Sequence, residues 1–177
     1  MNNTAVATKT TWAIDNAHSE ITFKVRHMMI ASVTGKFEKF SAHAETEGDS
    51  LNGAKLTFSA QTGSINTNAA DRDEHLRSAD FFDSSTYPEM TFESTSVSDN
   101  EVTGNLTIKN VTKPVTLSLE NGGTGIDPWG NKRIGFTVHG KFNRKDWGLN
   151  WNAALETGGV LVSEEVTITC EIQFVQQ

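Results

Sequence analysis

A chain of 177 residues, 36% hydrophobic and 21% charged, has the size and composition of one globular domain with a real core. Its formal net charge is −7 and its basic residues are scattered, which excludes a nucleic-acid binder, because phosphate neutralisation needs clustered Lys and Arg. The single cysteine, Cys170, excludes an intrachain disulfide and the zinc sites built from paired thiolates, and no apolar run approaches the ~20 residues of a bilayer span.

The opening "MNNTAVATKTTW" has neither a basic n-region nor an apolar h-region. Residues 1–10 are expected to form a disordered or irregular tail ahead of one domain over 11–177. Without a signal peptide the expected compartment is cytoplasmic; a periplasmic location is the alternative if a signal has already been removed.

From Ile21 onward apolar residues recur at every second position. Ile21, Phe23 and Val25 come first, then Leu56, Phe58 and Ala60, then Met90 and Phe92. Val115, Leu117 and Leu119 follow, and then Ile134, Phe136 and Val138. The series ends in Val166, Ile168, Cys170, Ile172 and Phe174. A period of two with one apolar face marks antiparallel strands wetted on one side, and β-branched Thr and Val supply the strand propensity. Turn signals stand at Gly48-Asp49, Asp99-Asn100, Asn121-Gly122-Gly123 and Asp127-Pro128. About eight strands with no long helical pattern between them predict an all-β fold, a sandwich or a closed barrel.

A local repeat favours the barrel. Val33-x-Gly35-x-Phe37, Val102-x-Gly104-x-Leu106 and Val138-x-Gly140-x-Phe142 each put a glycine on the apolar face. Glycine inside a strand marks a bend or a close approach, and bends let a sheet coil and close. The missing side chains are also expected to leave the lumen unfilled, as a ligand-holding barrel requires.

One segment breaks the pattern: "NAADRDEHLRSADFFDSSTYPEM", from Asn68 to Met90. It predicts a short helix over about 69–83, with Asn68 as N-cap, acids in the first turns and Pro88 closing the excursion. Asp71 and His75 lie one helical turn apart and supply two potential metal ligands, but no other histidine has ligand spacing, so no metal site is expected. No nucleophile elbow, Walker loop or dinucleotide fingerprint occurs. Asp73, His75 and His18 are the candidate acid/base groups if the protein is an enzyme. The plainer reading has Arg72 and Asp73 anchoring the helix to the barrel with His75 packed beside them.

The blocks "HSEITFKVRHMMIASVTGKFEKF" (His18 to Phe40), "SINTNAADRDEHLRSADFFDSSTYPEMTFES" (Ser64 to Ser94), "GNLTIKNVTKPVTL" (Gly104 to Leu117), "GFTVHGKFNRKDWGLNW" (Gly135 to Trp151) and "LETGGVLVSEEVTITCEI" (Leu155 to Ile172) resemble those of the YceI-like proteins, in the family's order. The resemblance runs from Trp12 to Phe174. It implies an eight-stranded, lipocalin-like antiparallel barrel whose apolar lumen holds a long amphiphile, a polyisoprenoid, an isoprenoid quinone or a similar lipid. The lipocalin G-x-W signature is absent, so the likeness to lipocalins is one of shape. Many members of the family carry a secretion signal, and this chain departs from them there.

The expected activity is therefore non-enzymatic binding, carriage or sequestration of such a lipid, with no cofactor. The rival readings are an enzyme acting on a small hydrophobic substrate and a solid-packed structural module. The expected lipid-contacting residues are Phe23, Val25, Phe37, Phe58, Phe92, Leu106, Phe136, Val138, Phe142, Ile168 and Ile172 from the strands. Leu76, Phe81 and Phe82 come from the helical insertion. Arg72, Asp73 and His75 are assigned to a head group or to anchoring the helix. Terminal-strand pairing or a polar outer face is the expected route to a homodimer.

Overall fold

The computed structural model describes residues 8–177. Eleven strand segments make one antiparallel sheet. They are β1 (Lys9–Ile14), β2 (Glu20–His27), β3 (Ala31–Phe37), β4 (Phe40–Glu47), β5 (Ser50–Gln61) and β6 (Ile65–Asn66), then β7 (Glu89–Val97), β8 (Glu101–Ile108), β9 (Val111–Ile126), β10 (Lys132–Asn143) and β11 (Glu165–Gln176). Among the described residues there is one α-helix, α1 (Ala70–Arg77), between β6 and β7. None of the helical segments there is long and apolar enough to cross a membrane.

The strands run β1-β4-β5-β7-β8-β9-β10-β11 around the sheet, and β1 pairs with β11 again to close it. β2, β3 and β6 prolong three of these strands beyond breaks. β11 pairs with β1 at residues 174–176 and with β2 at residues 167–171, the chain between them stepping through a short 3-10 helix at Asn16–His18. The eleven segments are thus the eight staves of a closed antiparallel barrel, the architecture that the alternation and the resemblance both point to. Closure leaves β11 paired along both edges.

Side chains of every second residue fill one end of the barrel. Trp12, Leu51, Val97, Leu119, Ile134 and Phe174 are buried there, and Trp12 Nε1 donates to Thr46 Oγ1 at 2.8 Å. Below this floor Arg133 ties three elements together. Its Nη1 lies 2.6 Å from Asp15 after β1, and its Nε lies 2.8 Å from Asp127 in the β9–β10 turn. The guanidinium holds both carboxyls well under the usual carboxylate range, at about 2.

Several local expectations need correction. β1 begins at Lys9, inside the expected tail, while residues 1–7 of that tail lie outside the described residues. Asn121-Gly122-Gly123 is not a turn: β9 runs through it to Ile126, and Gly122 is the extra residue of a β-bulge opposite Gly135 and Phe136. The hairpin between β8 and β9 turns instead at Lys109 and Asn110, both with positive φ. The helix is shorter than 69–83. Ser78 leaves helical geometry, and both its backbone N–H and its hydroxyl donate to the His75 carbonyl, capping the last turn. Asn68 is not the N-cap; it sits at φ 62, one residue too early.

The inner-face glycines do not leave open space. A Cβ on Gly35 would strike the Phe23 ring, and one on Gly140 would strike the Leu117 methyl groups. One on Gly104 would lie 2.5 Å from both the Phe92 ring and the Glu93 carbonyl oxygen. Each glycine is a seat for a large cross-strand side chain, which lies flat against the barrel wall. Room in the lumen comes from that flattening, not from an unfilled glycine.

Two expectations follow for stability. Gly104→Ala meets backbone at Glu93, whereas Gly140→Ala meets only the flexible tip of Leu117. Gly104→Ala is therefore the costlier change, by ~1–3 kcal/mol in denaturant unfolding, and equal costs would contradict the backbone clash. Depressed folded-state carboxyl values also mean that the contribution of Asp15 and Asp127 is fully present above about 4 and lost as pH falls toward about 2. Thermal melts across that window should show Arg133→Gln starting lower but losing less than the unsubstituted protein.

Candidate functional site: a roofed apolar cavity

The barrel interior above the floor is hollow. A cavity of about 540 Å³ runs up to the end that carries α1, the β2–β3 turn and the long β10–β11 connection. Its walls are alternate residues of every stave, and all fourteen residues expected to contact lipid line it: Phe23, Val25, Phe37, Phe58, Leu76, Phe81, Phe82, Phe92, Leu106, Phe136, Val138, Phe142, Ile168 and Ile172. Hydrogen-bonding groups are few on this surface. The solid-packed alternative does not describe this interior.

Wall side chains stack on one another instead of crossing the lumen. Phe23 and Phe37 have ring centroids 5.7 Å apart, and Phe37 meets Phe82 of the insertion edge-on at the same distance. Cys170 is part of this wall. Burial pushes its thiol up to about 12, so it stays neutral and behaves as a small apolar residue.

Two chain segments roof the cavity. The first is the stretch from Thr67 to Pro88. Asp73 is buried and accepts from the Thr67 backbone N–H at 2.8 Å and from the Thr67 hydroxyl. Arg72 donates from Nε to the Thr67 hydroxyl at 2.7 Å and from Nη2 to the Thr67 carbonyl at 2.6 Å. Both side chains thus fasten the first turns of α1 to the residue that follows β6. Asp73 thereby ties α1 to the chain before it, while the N-cap position itself, Ala69, makes no side-chain capping bond. After the helix, Phe82 N–H donates to the Leu76 carbonyl, folding Phe81 and Phe82 inward.

The second roof segment, from Arg144 to Ser163, is where sequence reasoning missed most. Trp147 is buried and its Nε1 donates to the Leu106 carbonyl at 2.9 Å, pinning the segment to β8. Leu149, Trp151, Leu161 and Val162 add apolar lining. Trp151, His75 and Phe81 form one cluster, with His75 edge-on to Trp151 at 4.5 Å and to Phe81 at 5.1 Å. His75 therefore joins the two roof segments, and its Nε2 lies 2.9 Å from Asp80. It is not packed beside Arg72 and Asp73 in the way the linear sequence suggested. These residues follow no period of two; the only hint in the sequence was two tryptophans close together.

The candidate acid/base groups do not come together. Asp73 does not line the cavity, being consumed by Thr67, and His18 lies on the outer surface beside Asp15. His75 alone of the three faces the cavity. Among the described residues no group of three or more His, Cys, Asp and Glu side chains is placed to hold a metal ion.

Comparison with known proteins agrees with this geometry. The chain matches the YceI-like domain over residues 12–174. It is 37% identical over 166 residues to a UPF0312 protein of Staphylococcus aureus (strain N315), covering 93% of this chain and 97% of that protein. A UPF0312 protein of Staphylococcus epidermidis matches to the same extent. A Campylobacter jejuni YceI protein superimposes with a TM-score of 0.73 at 28% identity, over 100% of this chain and 99% of that one. At 14% identity, a domain from Saccharophagus degradans described as polyisoprenoid binding shares the fold, with a TM-score of 0.67 over 94% of this chain and 98% of that one. On the match over residues 12–174 and the likeness to these relatives, the chain belongs to the YceI-like domain family.

Proposed function

We propose that this protein binds, carries or sequesters a long-chain amphiphile, a polyisoprenoid, an isoprenoid quinone or a comparable lipid, in the barrel cavity, and catalyses no reaction on it. The observation that carries the reading is the cavity itself, hollow and walled by aromatic and aliphatic side chains from all eight staves. Its volume of about 540 Å³ falls within the ~300–1,000 Å³ of small-molecule sites. An extended hydrocarbon needs apolar contact along its length and few hydrogen bonds, which is what this wall offers. Buried chain contributes ~25 cal/mol per Å² before the costs of ordering are subtracted.

The description of a same-fold domain as polyisoprenoid binding is consistent with this choice of ligand class. The scattering of Asp73 and His18 away from the cavity favours binding over the rival enzymatic reading.

Calorimetric titration with geranylgeraniol tests the proposal. The full chain should bind it with micromolar or tighter affinity, and the apolar burial should give a negative heat-capacity change. Ile168→Trp places an indole in the lumen and should weaken binding at least about tenfold while the protein still melts cooperatively. No heat of binding, or full affinity in folded Ile168→Trp, would contradict the proposal.

A further inference from the structure

From Ile21 to Phe37 the β2–β3 hairpin contains Lys24, Arg26 and Lys36 and no Asp or Glu, in a chain whose formal net charge is −7. All three cations are exposed, and among the described residues none pairs with a carboxylate. Lys24 and Arg26 alternate with Phe23 and Val25, whose face of the hairpin lines the cavity together with His27 and Val33.

At the tip of this hairpin apolar side chains face solvent. Ile30 N–H donates to the His27 carbonyl at 3.1 Å and closes a turn whose two central residues, Met28 and Met29, have φ of 52° and 59°. Left-handed backbone at both places favours Asn and Gly, so the methionines hold it at a steric cost. Burial does not offset that cost: Met29 is 58% and Ile30 76% exposed, and Met28 is exposed too. The tip is also held firmly in place. Met28 N–H donates to the Leu161 carbonyl at 2.8 Å, His27 bridges to Val162, and Arg26 Nη2 donates to the Met29 carbonyl at 2.9 Å. The adjoining turn of the second roof segment adds exposed Val160, and Glu156 is the one acid in residues 153–161.

Ile126 and Trp129 make a second exposed apolar tip, in the β9–β10 turn at the floor end. Its charge is opposite: no Lys or Arg lies between Lys113 and Lys132, whereas Glu120 and Asp127 do. Of the two tips, only the one at the roofed end joins apolar side chains to a surplus of positive charge.

We propose that the β2–β3 tip docks on an anionic lipid bilayer, with Met28, Met29 and Ile30 inserted at the head-group boundary and the roofed end of the cavity turned to the membrane. In interfacial binding of this kind, burial of apolar surface and attraction to anionic head groups act together. At ~3.3 Å per strand residue, Arg26 and Lys24 stand roughly 7 and 13 Å behind Met28. Those distances put Arg26 in the head-group layer and Lys24 in the screened ion layer outside it. A second copy seated on the same tip by two-fold symmetry would bring like cations together, which opposes it. The docking stands apart from the lipid-binding reading, which supplies its use: collection or delivery of the lipid at the membrane.

Flotation of the full chain with sealed vesicles tests the proposal, phosphatidylcholine alone against an equal mixture of phosphatidylcholine and phosphatidylglycerol. Binding should be at least about tenfold tighter on the anionic vesicles and should weaken as salt rises. The Met29→Asp, Ile30→Asp double variant should lose at least about tenfold in vesicle affinity while binding geranylgeraniol as the unsubstituted protein does. Both positions are exposed, and Asp tolerates left-handed backbone, so this variant should fold. Arg26→Gln should weaken vesicle binding about fivefold. Because the Cys170 thiol is buried and neutral, a thiol-reactive, polarity-sensitive fluorophore on Met29→Cys reports the tip alone. Its emission should shift to the blue on anionic vesicles, and the same fluorophore on Trp129→Cys should not shift. No preference for anionic vesicles, a double variant that binds them unchanged, or a tip fluorophore unshifted on bound protein overturns the docking. So does a concentration-dependent dimer that the double variant abolishes, which would assign the tip to a second copy. Vesicle binding without geranylgeraniol binding supports the docking and overturns the lipid reading.

Discussion

The site depends first on the double pairing of β11. This strand bonds β10 along one edge and β1 and β2 along the other, so the sheet closes on itself. A closed ring must put alternate side chains inside, and an inside that is satisfied by backbone pairing need not be filled to hold together. The floor, from Trp12 to Phe174, fills one end densely, while the other end stays hollow beneath its roof. Without closure the same phenylalanines would have to meet a second sheet, and the cavity would be lost.

Much of this could be read in the chain. Period-two alternation located most of the staves and the wall residues on them, such as Phe23, Phe58, Phe92, Phe136 and Ile168, because a pleated strand leaves no choice about which face each residue takes; β1 and β4, with Ala42, went unread. The three inner-face glycines signalled curvature, but their meaning was partly misread. Register decides whether a glycine is open or covered, and register showed Phe23, Phe92 and Leu117 lying over Gly35, Gly104 and Gly140. The roof was the least legible part. Arg144 and Trp147 lie in a short 3-10 turn and are held by side-chain bonds to carbonyls distant in sequence, Trp151 is held by ring contacts with His75 and Phe81, and no local pattern encodes such contacts. The insertion was recognised as helical, but its true length depended on a Ser78 cap that competes with helix continuation.

The two ends of the barrel use arginine in opposite ways. At the floor, Arg133 is enclosed by Asp15 and Asp127, and the charges cancel in a clamp that joins three elements. At the mouth, Arg144, Arg72 and Arg26 are held by neutral oxygens or left part-bonded. The first arrangement pairs opposite charges; in the second, Arg144 is buried among neutral carbonyls.

Organic extraction of the natively purified, folded protein, followed by mass spectrometry, tests the central claim most directly. The account predicts a long-chain lipid released in near-stoichiometric amount from the native protein and absent after the cavity is blocked by Ile168→Trp. A native protein that yields no lipid and takes up none when incubated with an isoprenoid would contradict it.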